Sequence, residues 1–163
     1  MRIFTFFLLF VIAATVSGQN YTRDVGIRAG EGVFITYRQF YSEKKAAEGM
    51  VGFSKNGLRA VIMREYFSPV TKIRSEGLKF VYGYGMHLGV TYTNHYKFLN
   101  RTYYHDWKWT PQLGFDGMAG FEYTLPEFPL LFQVAAQPYF EYSLNRFFQL
   151  KALNLVVSFK YRF

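Results

Sequence analysis

Leu78, Phe80, Tyr82, Tyr84, Met86, Leu88, Val90 and Tyr92 stand at every second position of one uninterrupted stretch. Between them lie Lys79, Val81, Gly83, Gly85, His87, Gly89, Thr91 and Thr93. Alternate residues of a strand point to opposite faces, so this segment has one large apolar or aromatic face and one small or polar face. A helix is excluded, because a period of two spreads the apolar residues around its whole circumference. The pattern holds from residue 78 to residue 93, whereas an ordinary strand runs to about 5 or 6 residues. A two-faced strand of this length directs the chain to an all-β fold with long strands.

The same alternation recurs downstream. In 112–124, Leu113, Phe115, Gly117, Ala119, Phe121 and Tyr123 oppose Asp116, Met118 and Glu122. In 130–142, Leu130, Phe132, Val134, Ala136, Pro138 and Phe140 oppose Gln133, Gln137 and Glu141. In 150–163, Leu153, Leu155, Val157, Phe159, Tyr161 and Phe163 oppose Asn154, Ser158, Lys160 and Arg162. The N-terminal half is less regular, but Val25-x-Ile27, Val33-x-Ile35-x-Tyr37, Gly49-x-Val51-x-Phe53 and Leu58-x-Ala60-x-Ile62 follow the rule. Arg64 breaks its apolar row, and near a strand end its long side chain can snorkel to a polar boundary. Gly30-Glu31-Gly32 and Asn56-Gly57 mark tight hairpin turns. Eight strands are predicted, at 24–30, 32–40, 45–53, 58–68, 77–93, 112–124, 130–142 and 150–163. Joined in sequence order, they predict an eight-stranded antiparallel up-and-down barrel. The connections at 30–32, 54–57, 94–111 and 143–149 fall at one end. Those at 41–44, 69–76 and 125–129 fall at the other.

The N-terminus adds an address. Met1-Arg2 is followed by a twelve-residue run from Ile3 to Ala14, then Val16 and Gly18 before Gln19. A basic start, a short apolar run and small residues at the boundary are the signature of a secretory signal peptide. The predicted signal peptide is 1–18 and the predicted domain 19–163. A transmembrane helix needs about 20 apolar residues, more than this run supplies. The chain has no cysteine, which closes disulfides and cysteine-ligated metals. Aromatic residues make up 21% of the chain, yet no later apolar segment is long enough to be a membrane helix. Tilted strands need only about 9–11 residues to cross a bilayer, and half of those residues face inward. A transmembrane barrel therefore accommodates this composition. The formal charge of +8 is expected to meet anionic lipid headgroups rather than nucleic acid.

With apolar rows outward, the opposite faces carry Arg28, Arg38, Glu48, Arg59, Glu65, Lys79, His87, Asp116, Glu122, Glu141, Lys160 and Arg162. Both signs are present in similar numbers. Eight strands enclose a space just wide enough for side chains, so these groups are expected to pair into an ionic network that plugs the lumen. His87 is expected to be structural. No metal site is expected, because His95 and His105 lie in a different segment. Gly83-x-Gly85-x-x-x-Gly89 lacks the spacing and the strand-to-helix transition of a dinucleotide fingerprint, so no cofactor is expected.

The segments Val25–Gly30, Ala47–Phe53, Phe115–Tyr123 and Ser158–Phe163 resemble those of small eight-stranded outer-membrane barrels of Gram-negative bacteria. Similar proteins include the OmpA transmembrane domain, OmpX and the short barrel proteins common in Bacteroidetes. The resemblance implies an outer-membrane location and outer-membrane lipid and lipopolysaccharide as neighbours. It also implies a monomer, with Phe159, Tyr161 and Phe163 as the signal read by the barrel-assembly machinery.

The segment 94–111 is expected to be an external surface loop. It bears Tyr96, Trp107 and Trp109 with Lys97, Arg101 and Lys108, a mixture suited to a lipid boundary or to recognition. A structural or surface-interaction role follows, without catalysis. The alternatives are a narrow gated pore, and a lipid A-modifying enzyme using Ser143 with His95 or His105. Outside this class stands a soluble lipocalin-like carrier, which would turn the apolar rows inward.

Overall fold

The computed structural model describes residues 22–54, 57–70, 77–98, 101–143 and 147–163. The predicted signal peptide and Asn56 of the Asn-Gly turn lie outside them. All regular structure among the described residues is strand. The segments are β1 (Arg23–Ala29), β2 (Gly32–Ser42), β3 (Lys45–Ser54), β4 (Gly57–Pro69), β5 (Leu78–Phe98), β6 (Arg101–Thr124), β7 (Leu130–Ala136), β8 (Tyr139–Ser143), β9 (Phe147–Lys151) and β10 (Leu155–Arg162). β7 and β8 are two parts of one barrel strand, and so are β9 and β10. The result is a closed, eight-stranded antiparallel barrel in which each strand pairs with its sequence neighbours. The seam is β1 on β10, from Asp24 opposite Arg162 to Ala29 opposite Val157. Arg23 and Phe163 lock it by exchanging backbone hydrogen bonds of 3.1 and 2.8 Å.

Closure sets the polarity of the two faces. Ile35, Phe53 and Leu88 are 69%, 75% and 62% exposed, and Tyr82 and Phe159 also lie on the outer surface. Arg38, Glu48, Glu65, Glu122 and Lys160 are fully buried. Inside, the charged groups share space with Met50, Met63, Val81, Met118, Leu131 and Val156. The lipocalin arrangement, with aromatic rows lining a cavity, is therefore not formed.

Two predicted strands prove to be interrupted. Pro138 has no N–H to give to a ladder and is tolerated within sheets chiefly at edges or bulges. Here it separates β7 from β8, and its carbonyl accepts from the Gly117 N–H at 2.9 Å. The neighbouring strand responds. Leu155 pairs with Ala136 but Lys151 pairs with Tyr139, so residues 152–154 oppose only 137–138. This one-residue bulge reverses the alternation between β9 and β10. Leu150 and Leu155, an odd number of residues apart, both point outward. The single regular strand expected over 150–163 is corrected accordingly.

In the segment 94–111, expected to be a loop, the described residues 94–98 and 101–111 are strand. β5 pairs with β4 only as far as Thr91, and β6 pairs with β8 only as far as Gln112. Beyond those points β5 and β6 continue on each other to Phe98 opposite Arg101. The extension is a two-stranded ribbon standing roughly 20 Å beyond the last shared pairs at about 3.3 Å per residue. Tyr and Trp favour strands, and the cross-strand pair Tyr92–Trp109 gives this ribbon an aromatic grip.

Candidate functional site

The lower half of the barrel, near the chain termini, holds a continuous ionic network. Arg38 of β2 donates from Nε to Asp24 at 2.6 Å, and from Nη1 to Glu65 at 3.1 Å and Glu122 at 2.6 Å. Arg28 of β1 meets Glu48 at 2.7 Å and Glu65 at 3.6 Å. Lys160 of β10 also pairs with Glu48. Arg162 reaches Asp24 at 3.0 Å and Glu122 at 3.4 Å. Each of the four carboxylates thus bridges two cations, and the four cations balance them. The participants come from β1, β2, β3, β4, β6 and β10, so the network ties opposite walls together. Phe40 and Phe67 cap it: the Arg38 guanidinium lies 4.9 and 5.0 Å from their ring centres.

The upper half holds a second cluster around His87 of β5. Its Nδ1 is 2.6 Å from Asp116 and its Nε2 is 3.2 Å from Glu141. Both ring nitrogens lie within hydrogen-bond distance of a carboxyl oxygen, which accepts from whichever nitrogen carries a proton. Gln137 donates to the other Asp116 oxygen at 3.1 Å, and Arg59 donates to Glu141 at 2.6 Å. Tyr139 packs edge-on against His87 at 5.6 Å, lies beneath Arg59, and donates to Glu31 at 2.7 Å. Glu31, in the β1–β2 turn, also takes Lys151. Gly114 is required here, because a Cβ would strike the His87 ring and the Phe140 carbonyl.

A void of about 20 Å³ lies between the clusters, bordered by Arg28, Arg59, Gln137 and Asn154. It has room for about one water. At the terminal end a vestibule of about 690 Å³ opens outward, lined by Phe40, Phe67, Lys79 and Arg162 among others. Among the described residues, the lower network and the His87 cluster occupy the lumen above this vestibule.

No family model matches the chain, and no curated protein matches its sequence. What the interior can do is decided by its own geometry.

Of the predicted interior residues, Arg28, Arg38, Glu48, Glu65, Glu122, Lys160 and Arg162 come together in the lower network, and Arg59, His87, Asp116 and Glu141 in the upper cluster. Lys79 is half-buried at the vestibule and makes no ion pair among the described residues. Asp24 was missed, although stepping back by twos from Arg28 through Gly26 places it on the inner face. Glu31 and Lys151 lie beside turns and bulges, where a period of two carries no signal. Ser143, expected in an outer loop, belongs to β8, is buried, and donates to the Pro111 carbonyl at 3.4 Å. Among the described residues no metal-binding group of three or more side chains converges.

On the ribbon, Trp107 and Trp109 are exposed, and both rings lie 5.2 Å from that of Tyr92. Lys108 is exposed between them. The backbones of Tyr96, Lys97 and Arg101 belong to the ribbon, while their side chains, with those of His95 and His105, fall outside the described ones. On β10 and the residue after it, Phe159 packs on Phe132 of β7 at 4.9 Å and Tyr161 stacks on Phe163 at 6.5 Å.

Proposed function

We propose that the protein is an integral outer-membrane barrel with a structural or surface-interaction role, its lumen closed by the ionic network and its β5–β6 ribbon offered to the exterior. The observation that carries this reading is the reversed polarity of the barrel: apolar and aromatic rows exposed on every strand, charges buried within. In water such a surface far exceeds the few hundred Å² of contiguous apolar patch that soluble monomers tolerate. In a bilayer it is the matched surface, and the pairing of β1 with β10 closes the wall so that neither of these strands is left with an open edge. The signal-peptide pattern and the resemblance of the strand segments to small outer-membrane barrels support the same location. The buried ion pairs that join opposite walls favour a plug over a pore, and no catalytic chemistry is assigned to them.

The native absence of cysteine makes the test direct. Lys108→Cys on the ribbon is expected to react with a membrane-impermeant maleimide in intact cells. Lys44→Cys, at the opposite end, is expected to react only after lysis. The protein should fractionate with outer membranes and show heat-dependent gel mobility. Recovery in the soluble fraction, or equal labelling of both positions in intact cells, would overturn the proposal.

A further inference from the structure

Arg64 is the cation that the outer face of β4 should not carry. It points outward between Ile62 and Tyr66. Its Nε donates to the Tyr41 hydroxyl at 2.8 Å, and its guanidinium lies 5.7 and 5.6 Å from the Tyr41 and Tyr66 ring centres. Tyr84, its cross-strand partner, closes the aromatic collar. Phenols orient a guanidinium but do not neutralise it, and among the described residues Arg64 has no carboxylate partner. A positioned, uncompensated cation on an apolar surface matches an anion with several oxygens.

A second feature adjoins it. Gly49 of β3 faces outward, and a Cβ there would meet nothing within 4 Å. A Cβ on Gly52 of the same strand would collide with the backbone of β2. Close packing therefore explains Gly52 but not Gly49. The missing side chain, with Ala60 beside it, leaves an apolar groove of about 990 Å³ walled by Ile35, Tyr37, Phe53, Ile62 and Met86. Ile62 is two residues from Arg64 on the same face, roughly 7 Å along the strand.

We infer that this face binds one glycerophospholipid of the leaflet nearest the chain termini, its phosphate on Arg64 and an acyl chain in the Gly49 groove. The inference rests on the membrane reading above. Charge complementarity selects the headgroup, and the position of Arg64 two residues beyond the groove wall at Ile62, on the same face, selects a molecule that carries anion and hydrocarbon together. Arg64 lies in the terminal half of β4, which selects the leaflet.

The test is native mass spectrometry of the refolded barrel in neutral detergent, titrated with phosphatidylglycerol or with diacylglycerol of the same chains. Wild type is expected to bind one phosphatidylglycerol at least about fivefold more tightly than diacylglycerol, in line with a charge-assisted contact. Arg64→Gln is expected to abolish that preference. Gly49→Leu, which fills the groove, is expected to weaken both ligands, with Gly49→Val as the milder filling should leucine impair folding. Heat-dependent gel mobility certifies each variant as folded. Unchanged binding by Arg64→Gln and by the filled-groove variant would overturn the inference. Concentration-dependent dimers abolished by filling the groove would do so too, assigning it to a second copy of the chain. Failure of the wild type to insert into vesicles would instead defeat the membrane reading, whereas insertion without lipid preference defeats this inference alone.

Discussion

The two halves of the barrel interior solve one problem differently. In the lower half, four cations and four carboxylates alternate, and Asp24, Arg38, Glu48, Glu65, Glu122 and Lys160 are fully buried. In the upper half, His87 and Asp116 are buried, but the chain of contacts runs through Arg59 and Tyr139 to Glu31 and Lys151 at the rim. Charges withdrawn from water need several partners each, whereas charges near a mouth can use solvent. The lower network is therefore a mutually dependent unit and the upper one a graded path. The difference predicts how each will respond when one member is removed.

Arg38→Met is expected to produce the largest effect. It removes the group shared by Asp24, Glu65 and Glu122, leaving them with Arg162 and Arg28. Breaking a buried ion pair from one side costs about 3–5 kcal/mol. The barrel should lose its folded gel mobility at a much lower guanidinium concentration than wild type. Mobility is the appropriate probe, because both tryptophans, Trp107 and Trp109, sit on the ribbon and report little on the wall. A loss below about 1 kcal/mol, the range of exposed pairs, would show that the lower network is more hydrated than its burial implies.

His87→Gln is the intermediate case. Glutamine can place its NH2 against one carboxylate but brings an oxygen, which cannot donate, toward the other, so Asp116 falls back on Gln137 or Glu141 on Arg59. A cost of about 1–2 kcal/mol is expected, the scale of one lost hydrogen bond to a charged group. The same denaturant titration measures it. Equality with Arg38→Met would erase the distinction between the two halves.

This contrast was only partly legible in the sequence. Alternation alone placed Arg28, Arg38, Glu48, Glu65, His87, Asp116, Glu122 and Lys160 on the inner face, because a closed barrel leaves one place for polar groups once the apolar rows face outward. Alternation carries no information about depth, so it could not separate lower from upper residues or show that Arg38 meets three carboxylates. It also fails where the period slips. The bulge at 152–154 reverses the faces of β9 and β10, and apolar Leu150, Leu153 and Leu155 conceal the slip because all three remain exposed. The ribbon was missed for a different reason. Its polar residues interrupt the period-two pattern above Thr93, while pairing continues because each strand needs only the other.

The smallest effect sharpens the comparison from the rim. Lys151 meets Glu31 across the gap between the β1–β2 turn and β9, with the lysine side chain 32% exposed. Solvent-screened pairs contribute about 0–1 kcal/mol, so Lys151→Ala should leave the denaturation midpoint almost unchanged. It should instead loosen the rim locally. β9 pairs with β8 alone among the described residues, and Lys151–Glu31 is a contact that joins it to the β1–β2 turn. Faster amide exchange confined to β9 and the β1–β2 turn is the expected result, with the lower network unaffected. Exchange spreading to β2 and β4 around Arg38 would mean that rim and floor open together, and the graded path would have to be redrawn as one cooperative network.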